Sequence, residues 1–206
     1  MSELSCAILA GGKSSRIGSY KALIRYKGLP LILHVIDELY DFFNDIVISV
    51  KNISQRDDLM RTLYSYGYNR VRVLVDPITR IYSPLVGLYT CLLGSRNDYV
   101  FVTACDMPNI SSRVVVCLYE ELEEHEYNAV VPIWPNGFIE PLCAIYSKYA
   151  TLKTLIDALS YGDYSLKYLI KRLKDVKYLL VHVLKRKGVS LKTFYNVNEL
   201  SDFRSL

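Results

Sequence analysis

LSCAILAGGKSSRIGSYK, residues 4–21, is the stretch around which the rest of the chain is organised. It opens with an apolar run that ends at a Gly-Gly pair, which predicts a buried strand followed by a turn. The turn is rich in small residues, whose backbone can approach a ligand closely and whose N–H groups can line an anion-binding concavity. Because Lys13, Arg16 and Lys21 add positive charge, the stretch predicts a polyphosphate site.

Two known phosphate-binding loops fit this stretch poorly. Gly12-Lys13-Ser14 resembles the end of a P-loop, but the first glycine of that motif would fall on Ala7, inside the predicted strand. The dinucleotide pattern G-x-G-x-x-G fails because the glycines stand at positions 11, 12 and 18. A flexible surface loop with solvated charges is the simpler alternative.

The composition of the whole chain predicts one globular domain, residues 1–206, with 51% hydrophobic and 22% charged residues. The net charge of +4 includes no concentrated basic run, so we expect a small polyanionic ligand and no nucleic-acid partner. No apolar stretch approaches the length of a membrane span and no signal peptide is evident, which predicts a cytoplasmic protein without a membrane partner. The five cysteines are far apart and contain no C-x-x-C, which argues against a zinc site or a disulfide framework.

Apolar strand patterns alternate with helical patterns along most of the chain. Strands are predicted at 4–10, 46–50, 71–76, 99–104, 128–133 and 179–184. Helices are predicted from Pro30 to about Phe43, from Ser54 to about Tyr66, from Ser83 to Gly94, from Ser111 or Ser112 onward, from Lys148 to Ser160, and from Ser165 onward. The alternation is typical of an α/β domain with a mainly parallel sheet.

Polar residues follow several of these strands at their carboxyl ends, where ligands bind in such sheets. The residues concerned are Gly11 and Gly12, Ser49, Asp76 and Asp106. A carboxylate such as that of Asp106 is what Mg²⁺ requires beside substrate phosphates, although an aspartate after a strand is also a common turn residue. Gly87 lies inside a predicted helix, where glycine is unfavourable, so close approach of a ligand or of another backbone would explain it.

Several motifs together resemble those of the MobA-like nucleotidyltransferases, which include the molybdenum cofactor guanylyltransferases. The longest is L-A-G-G-x-x-x-R-I-G-x-x-K-A-L at 9–23, followed by G-x-P-L at 28–31. Shorter ones are P-L-V-G-L at 84–88, C-D-x-P at 105–108, E-P-L-C-A-I-Y at 140–146 and F-x-N-V-N at 194–198. The chain departs from the family at Tyr20, where an aspartate is common, and at Ser83, which replaces a glycine.

The resemblance implies a three-layer, Rossmann-like fold of the nucleotide-diphospho-sugar transferase type, and transfer of GMP from GTP to molybdopterin with release of pyrophosphate. It implies that Asp106 holds Mg²⁺, that Arg16 and Lys21 stabilise the triphosphate, and that the 140–146 strand lies beside the acceptor. With the strand ends above, the predicted substrate-binding residues are Leu9, Ala10, Gly11, Gly12, Lys21, Ser49, Asp76, Gly87, Asp106, Asn196 and Asn198.

Other functions compatible with these motifs remain open from sequence. A molybdopterin cytidylyltransferase or another small-acceptor guanylyltransferase would carry the same phosphate-binding residues. A nucleotide-binding module without chemistry would need no catalytic residues, whereas Arg16, Lys21 and Asp106 are all present. Molybdoenzymes or cofactor-insertion proteins are the macromolecular partners that the resemblance suggests. The basic face of the helix after Ser165 is explained by solvation, with attraction of an anionic acceptor as the alternative.

Overall fold

A computed structural model describes residues 3–12, 20–78 and 80–197 of the chain. Its strands are β1 (Leu4–Leu9), β2 (Arg25–Tyr26), β3 (Leu29–Pro30), β4 (Ile46–Val50), β5 (Arg72–Val75), β6 (Tyr99–Ala104), β7 (Ala129–Ile133), β8 (Cys143–Ser147) and β9 (Val176–Leu180). β2 and β3 form a small hairpin whose turn, Lys27–Gly28, has positive φ at both residues.

The helices pack on the larger sheet formed by the other strands. They are α1 (Leu31–Leu39), α2 (Ile53–Ser65), α3 (Pro84–Gly94), α4 (Ser112–Glu124), α5 (Lys148–Tyr161), α6 (Leu166–Arg172) and α7 (Val181–Arg186), with short 3₁₀ turns at Lys21–Leu23 and Leu191–Phe194. Among the described residues, no helix combines the length and the apolar character needed to cross a membrane.

The larger sheet has seven strands in the order β5-β4-β1-β6-β8-β7-β9. β8 runs antiparallel to both of its neighbours, whereas the other pairs are parallel. β1 lies near the centre, and all its residues are buried, as expected of a mostly apolar strand covered by helices on both sides. The carboxyl ends of β5, β4, β1 and β6 therefore meet side by side at one edge of the sheet.

Alternate residues of β1 face two separate cores, which makes the domain three-layered. Leu4, Cys6 and Ile8 pack with residues of α1, α2, α4 and α7 on one face of the sheet. Ala7 and Leu9 pack with residues of α3, α5 and α6 on the other face. The fold predicted from the sequence, an α/β domain with a mostly parallel central sheet, is thereby confirmed.

Most predicted elements lie where the sequence placed them. β4 and β6 span the predicted residues, and α3 begins after Ser83, whose hydroxyl accepts a hydrogen bond from the Leu85 N–H at 3.0 Å. Ser111 caps α4 in the same way. A serine followed by Pro or by an apolar helical pattern is a strong helix-start pattern because both features act within the first turn.

The predicted strand over 179–184 is wrong. β9 ends at Leu180, and α7 begins at Val181. The partner strand decides this boundary, because β7 pairs with β9 only from Ala129 to Ile133 and offers no further residues. Val181 and Leu184, one helical turn apart, are then buried by α7.

Three boundaries also differ from the sequence prediction. α2 is capped by Asn52 and not by Ser54, because the Asn52 side chain accepts from the Gln55 N–H at 2.9 Å. α1 ends at Leu39 and not near Phe43, because the chain turns there to bury Phe43 before β4. β8 begins only at Cys143, because its N–H closes a turn onto the Glu140 carbonyl at 3.1 Å.

Candidate active site

A pocket of about 340 Å³ opens at the edge of the sheet where β5, β4, β1 and β6 end. Its walls come from the strand ends, from the connection after β5 and from the first turn of α3. The lining residues are Leu9, Gly11, Gly12, Lys21, Ser49, Lys51, Asp76, Tyr82, Ser83, Pro84, Gly87, Ala104, Cys105, Asp106 and Leu142. Seven of the predicted substrate-binding residues meet there with Asp106, since the carboxyl ends of neighbouring parallel strands share one edge.

Lys21 and Asp106 form an ion pair in this pocket. The Lys21 Nζ lies 2.6 Å from the Asp106 Oδ2, and the two side chains are 15% and 21% exposed. Asp106 follows β6, and Lys21 begins the 3₁₀ turn that leads into the small hairpin. Both groups remain accessible at the mouth of the pocket. The Lys21 ammonium group can therefore bind a phosphate in place of Asp106, and the carboxylate can bind a metal ion in place of Lys21.

Tyr20, the residue that departs from the family pattern, does not displace Lys21 from this pair. Its side chain packs against the core that contains Leu4 and Ile8, and burial, followed by the nearby Cys105 thiol, raises the pKa of its hydroxyl. Tyr20 is therefore a packing residue, and the orientation of Lys21 is set by Asp106 instead of by a preceding carboxylate.

The end of β1 provides backbone on the floor of the pocket. The Ala10 N–H donates to the Ser49 carbonyl at 2.9 Å, so that this group belongs to the sheet, and the Ala10 side chain is buried. Gly11 lies so close to its neighbours that a Cβ would stand 3.3 Å from the Asp76 Oδ2 and 3.4 Å from the backbone nitrogen of Lys51. Gly11 and Gly12 consequently bring main chain, not side chain, to the pocket surface.

Asp76, which follows β5, has a buried carboxyl that also lines the pocket. Its Oδ1 accepts a hydrogen bond from the Thr90 hydroxyl at 2.7 Å, which ties the strand end to α3. Burial raises the pKa of Asp76, while the Thr90 hydrogen bond and the charge of Lys51 oppose that rise. One oxygen of the carboxyl is thus already hydrogen-bonded within the protein where the residue lines the pocket.

Gly87 is explained by packing of α3 on the sheet. A Cβ at this position would lie 2.7 Å from the Ser49 Oγ and 3.2 Å from the Leu9 Cγ. The close approach expected from the sequence is thus made by side chains of β4 and β1. Among the described residues, the Ser49 hydroxyl is buried without a hydrogen-bond partner, so α3 and β4 meet over a polar atom.

Lys51 and Tyr82 belong to the pocket but were missed by the sequence analysis. Lys51 directly follows β4, so the strand-end argument could have found it had it been carried two residues beyond Ser49, to the first residue after the strand. Tyr82 offered no such pattern, because it lies in an irregular connection and only the fold brings it to the pocket.

The remaining predicted residues are not all placed by the structure. Arg16 and Asn198 lie outside the described residues, so their predicted roles stay predictions. Asn196 is exposed and is absent from the pocket lining, although the N–H of the next residue, Val197, donates to the Asp106 carbonyl at 2.9 Å. Val197, the last described residue, therefore lies directly beside Asp106.

The residues that could hold a metal ion in this pocket are few. The described part of the chain contains no group of three or more His, Cys, Asp or Glu side chains arranged around one point. Cys105 lines the pocket, but it is a buried free thiol whose pKa burial raises further, so it is a poor metal ligand. Asp106 is the accessible carboxylate beside the glycines.

Comparison with known proteins gives full-length similarities. A protein of Pyrococcus horikoshii named "Probable molybdenum cofactor guanylyltransferase" is 34% identical over 203 residues, which cover 97% of each chain. A protein of the same name from Methanosarcina acetivorans is 31% identical over 98% of this chain and 89% of its own. The crystal structure of molybdopterin-guanine dinucleotide biosynthesis protein A from Archaeoglobus fulgidus superposes with a TM-score of 0.80 at 26% identity, covering 97% of this chain and 95% of that one.

The sequence model of the MobA-like NTP transferase domain matches residues 6–176. This match contains most of β1, the two glycines after it, the pocket and the Lys21–Asp106 pair, and it ends at the start of β9. The resemblance noticed in the motifs is confirmed, and the chain belongs to the MobA-like NTP transferase family.

Proposed function

We propose that this protein transfers GMP from GTP to molybdopterin and releases pyrophosphate. The observation that carries the proposal is the Lys21–Asp106 pair, 2.6 Å apart, facing the glycine end of β1 inside one pocket. The names of relatives about 30% identical over nearly the whole chain support the choice of GTP and molybdopterin.

The reaction needs alignment and charge neutralisation more than a protein nucleophile. An oxygen of the acceptor's terminal phosphate forms a bond to the α-phosphorus of GTP, and the bond from that phosphorus to the bridging oxygen of the β-phosphate breaks. The electron pair leaves with pyrophosphate. Lys21 donates to phosphate oxygens and offsets the charge that develops on them, while Gly11 and Gly12 bring main-chain N–H groups close.

Mg²⁺ fits the donor set of this pocket. Mg²⁺ commonly binds through one or two carboxylates and completes its coordination with water and substrate phosphates. Asp106 supplies one accessible carboxylate, and the charge of Lys21 compensates its negative charge before substrate binds. When bound there, the ion would neutralise phosphate charge, and Lys21 would donate to the phosphate oxygens.

The acceptor would approach from the side of β8. Leu142, just before β8, lines the pocket, and Glu140 accepts a hydrogen bond from the Trp134 Nε1 at 2.6 Å. Leu142 therefore borders the pocket from the β8 side, and Val197, whose N–H donates to the Asp106 carbonyl, lies next to Asp106. Cytoplasmic location and contact with molybdoenzymes or cofactor-insertion proteins stay predictions.

The test is release of pyrophosphate with GTP, CTP or ATP, each with and without molybdopterin, in the presence of Mg²⁺. We expect release only with GTP and molybdopterin together. Release with CTP and not GTP would reassign the base, and release with GTP only when another small phosphorylated acceptor is present would reassign the acceptor. No release with any pair would leave a nucleotide-binding module. Asp157→Asn, an exposed aspartate of α5, is a matched control for substitutions of Asp106.

A further inference from the structure

Lys51 is a buried cation whose charge is held by main chain. The residue is 6% exposed, although lysine is rarely buried, and its Nζ donates to the carbonyls of Ile78 at 2.7 Å and Ile81 at 2.5 Å. Both acceptors belong to the connection between β5 and α3. Lys51 therefore ties this connection to the end of β4, which an unpaired surface lysine would not do.

Tyr82, the next residue of that connection, lies against the same ammonium group. The Lys51 Nζ is 4.6 Å from the centroid of the Tyr82 ring, within the range of a cation–π contact. Tyr82 is 60% exposed and lines the pocket. An exposed aromatic ring that is fixed from one side by a buried charge costs little conformational entropy when it binds a flat ligand.

The strand order separates this part of the pocket from the phosphate end. Asp106 follows β6, whereas Lys51 and Asp76 follow β4 and β5, two and three strands away. With neighbouring strands about 4.8 Å apart, the main chains at the ends of β6 and β5 are about 14 Å apart along the sheet edge. A nucleotide whose phosphates lie between Lys21 and Asp106 therefore extends its nucleoside toward Lys51, Asp76 and Tyr82.

We infer that Tyr82 contacts the nucleobase, and that Lys51 is a positioning residue which holds Tyr82 and its connection in place for that contact. The inference rests on the proposed function, because it takes the Lys21–Asp106 end as the phosphate site. It assigns the nucleobase contact to an aromatic side chain, so the affinity gained at this end depends on the ring and not on the tyrosine hydroxyl.

Comparing GTP with pyrophosphate tests the assignment, since pyrophosphate lacks a nucleoside. Stacking of a base on an aromatic side chain is lost by alanine substitution with an affinity change of roughly 5- to 150-fold. We expect Tyr82→Ala to weaken GTP binding in the presence of Mg²⁺ by a factor in that range and pyrophosphate binding by less than about twofold. Tyr82→Phe keeps the ring and should bind GTP as the wild type does. Tyr149→Ala, which removes an 84% exposed tyrosine of α5, is the matched control.

A double-mutant cycle tests the role of Lys51. If Lys51 acts through Tyr82, Lys51→Met should weaken GTP binding in the wild-type background but change it little in Tyr82→Ala, because the group that it positions is already gone. Lys51→Arg, which keeps a donor to the two carbonyls, should retain most of the affinity. Pyrophosphate binding, which a general loss of structure would also lower, should stay unchanged in Lys51→Met.

Equal GTP affinity of the wild type and Tyr82→Ala would overturn the inference and leave the proposed function intact. Equal loss of GTP and pyrophosphate binding in Tyr82→Ala would also overturn it, since the ring would then act on the whole pocket. Additive effects of the two substitutions would remove the positioning role of Lys51. Absence of GTP and pyrophosphate binding by the wild type would instead refute the proposed function itself. Tyr82→Ala keeps the test decisive even if Lys51→Met fails to fold, because Tyr82 is mostly exposed.

Discussion

Gly87→Ala, at the wall of the pocket, has two opposing effects on the free energy of unfolding. Alanine is more favourable than glycine inside a helix by about 1 kcal/mol, which would stabilise α3. The added methyl group, however, would stand 2.7 Å from the Ser49 Oγ and 3.2 Å from the Leu9 Cγ, both on buried residues. Relief requires rotation of Ser49 or a shift of α3, and such overpacking costs about 1–3 kcal/mol.

The net result expected for Gly87→Ala is a loss of about 1 kcal/mol of unfolding free energy, because overpacking exceeds the gain in helix propensity. In a domain of this size, that loss lowers Tm by roughly 2–4 °C. GTP affinity should fall as well, since both Gly87 and Ser49 line the pocket and a displaced α3 changes its shape. Thermal unfolding with and without GTP and Mg²⁺ measures both effects in one series.

Ser49→Ala provides the internal control for this prediction. It removes the atom nearest to the new methyl group, so Ser49→Ala/Gly87→Ala should be more stable than Gly87→Ala alone. A Gly87→Ala protein that is more stable than the wild type and binds GTP equally well would refute the packing argument. So would a double variant that loses as much stability as the sum of the two single variants.

Two further substitutions separate catalysis from stability. Lys21→Met should lower kcat/KM for pyrophosphate release by about 10²- to 10³-fold, since it removes a charged donor to the phosphates. Its Tm should change little, because the side chain lies at the pocket mouth. A loss under about threefold would exclude Lys21 from a catalytic role. Asp45→Asn should lower the free energy of unfolding by about 1–3 kcal/mol. Asp45 is 5% exposed and accepts hydrogen bonds from the Ser5 hydroxyl at 2.7 Å and the Arg72 guanidinium at 2.5 Å. Activity per folded molecule should stay normal, because Asp45 precedes β4 and is absent from the pocket lining. Burial opposes ionisation of Asp45, but the Arg96 amide and these two donors outweigh it and lower its pKa. The stabilisation by ionised Asp45 is therefore present above the unfolded pKa of about 3.9 and is lost as pH falls through the folded pKa. Between neutral and acid pH, the free energy of unfolding measured in urea should thus fall less in Asp45→Asn than in the wild type.

The sequence was informative where one local pattern had one physical solution. The apolar run at 4–10, which ends at a Gly-Gly pair, was predicted as a buried strand and forms β1, and Ser83-Pro84 begins α3 as predicted. The meeting of Gly11, Asp76 and Asp106 followed from topology, since parallel strands bring their carboxyl ends to one edge. The pocket was predictable in outline for this reason, without any knowledge of side-chain packing.

The features that were not predictable depend on partners distant in sequence. The apolar residues from Leu179 to Leu184 suit a strand or a helix, and the length of β7 decides where the strand stops. Lys51 has the sequence context of a solvated turn lysine. Only the structure shows that it is buried and that its ammonium group donates to the carbonyls of Ile78 and Ile81. Gly87 was expected to approach a ligand or a backbone, whereas Ser49 and Leu9 side chains occupy that space.

Turnover of Asp106→Ala with GTP, molybdopterin and Mg²⁺ tests most directly whether the Lys21–Asp106 pair is the phosphate and metal site. Because Asp106 is partly exposed after β6, the variant should fold with a Tm close to that of the wild type. We expect it to release no pyrophosphate above background and to lose the Mg²⁺-dependent part of GTP binding, whereas Asp157→Asn keeps both. Full pyrophosphate release by folded Asp106→Ala would contradict the account.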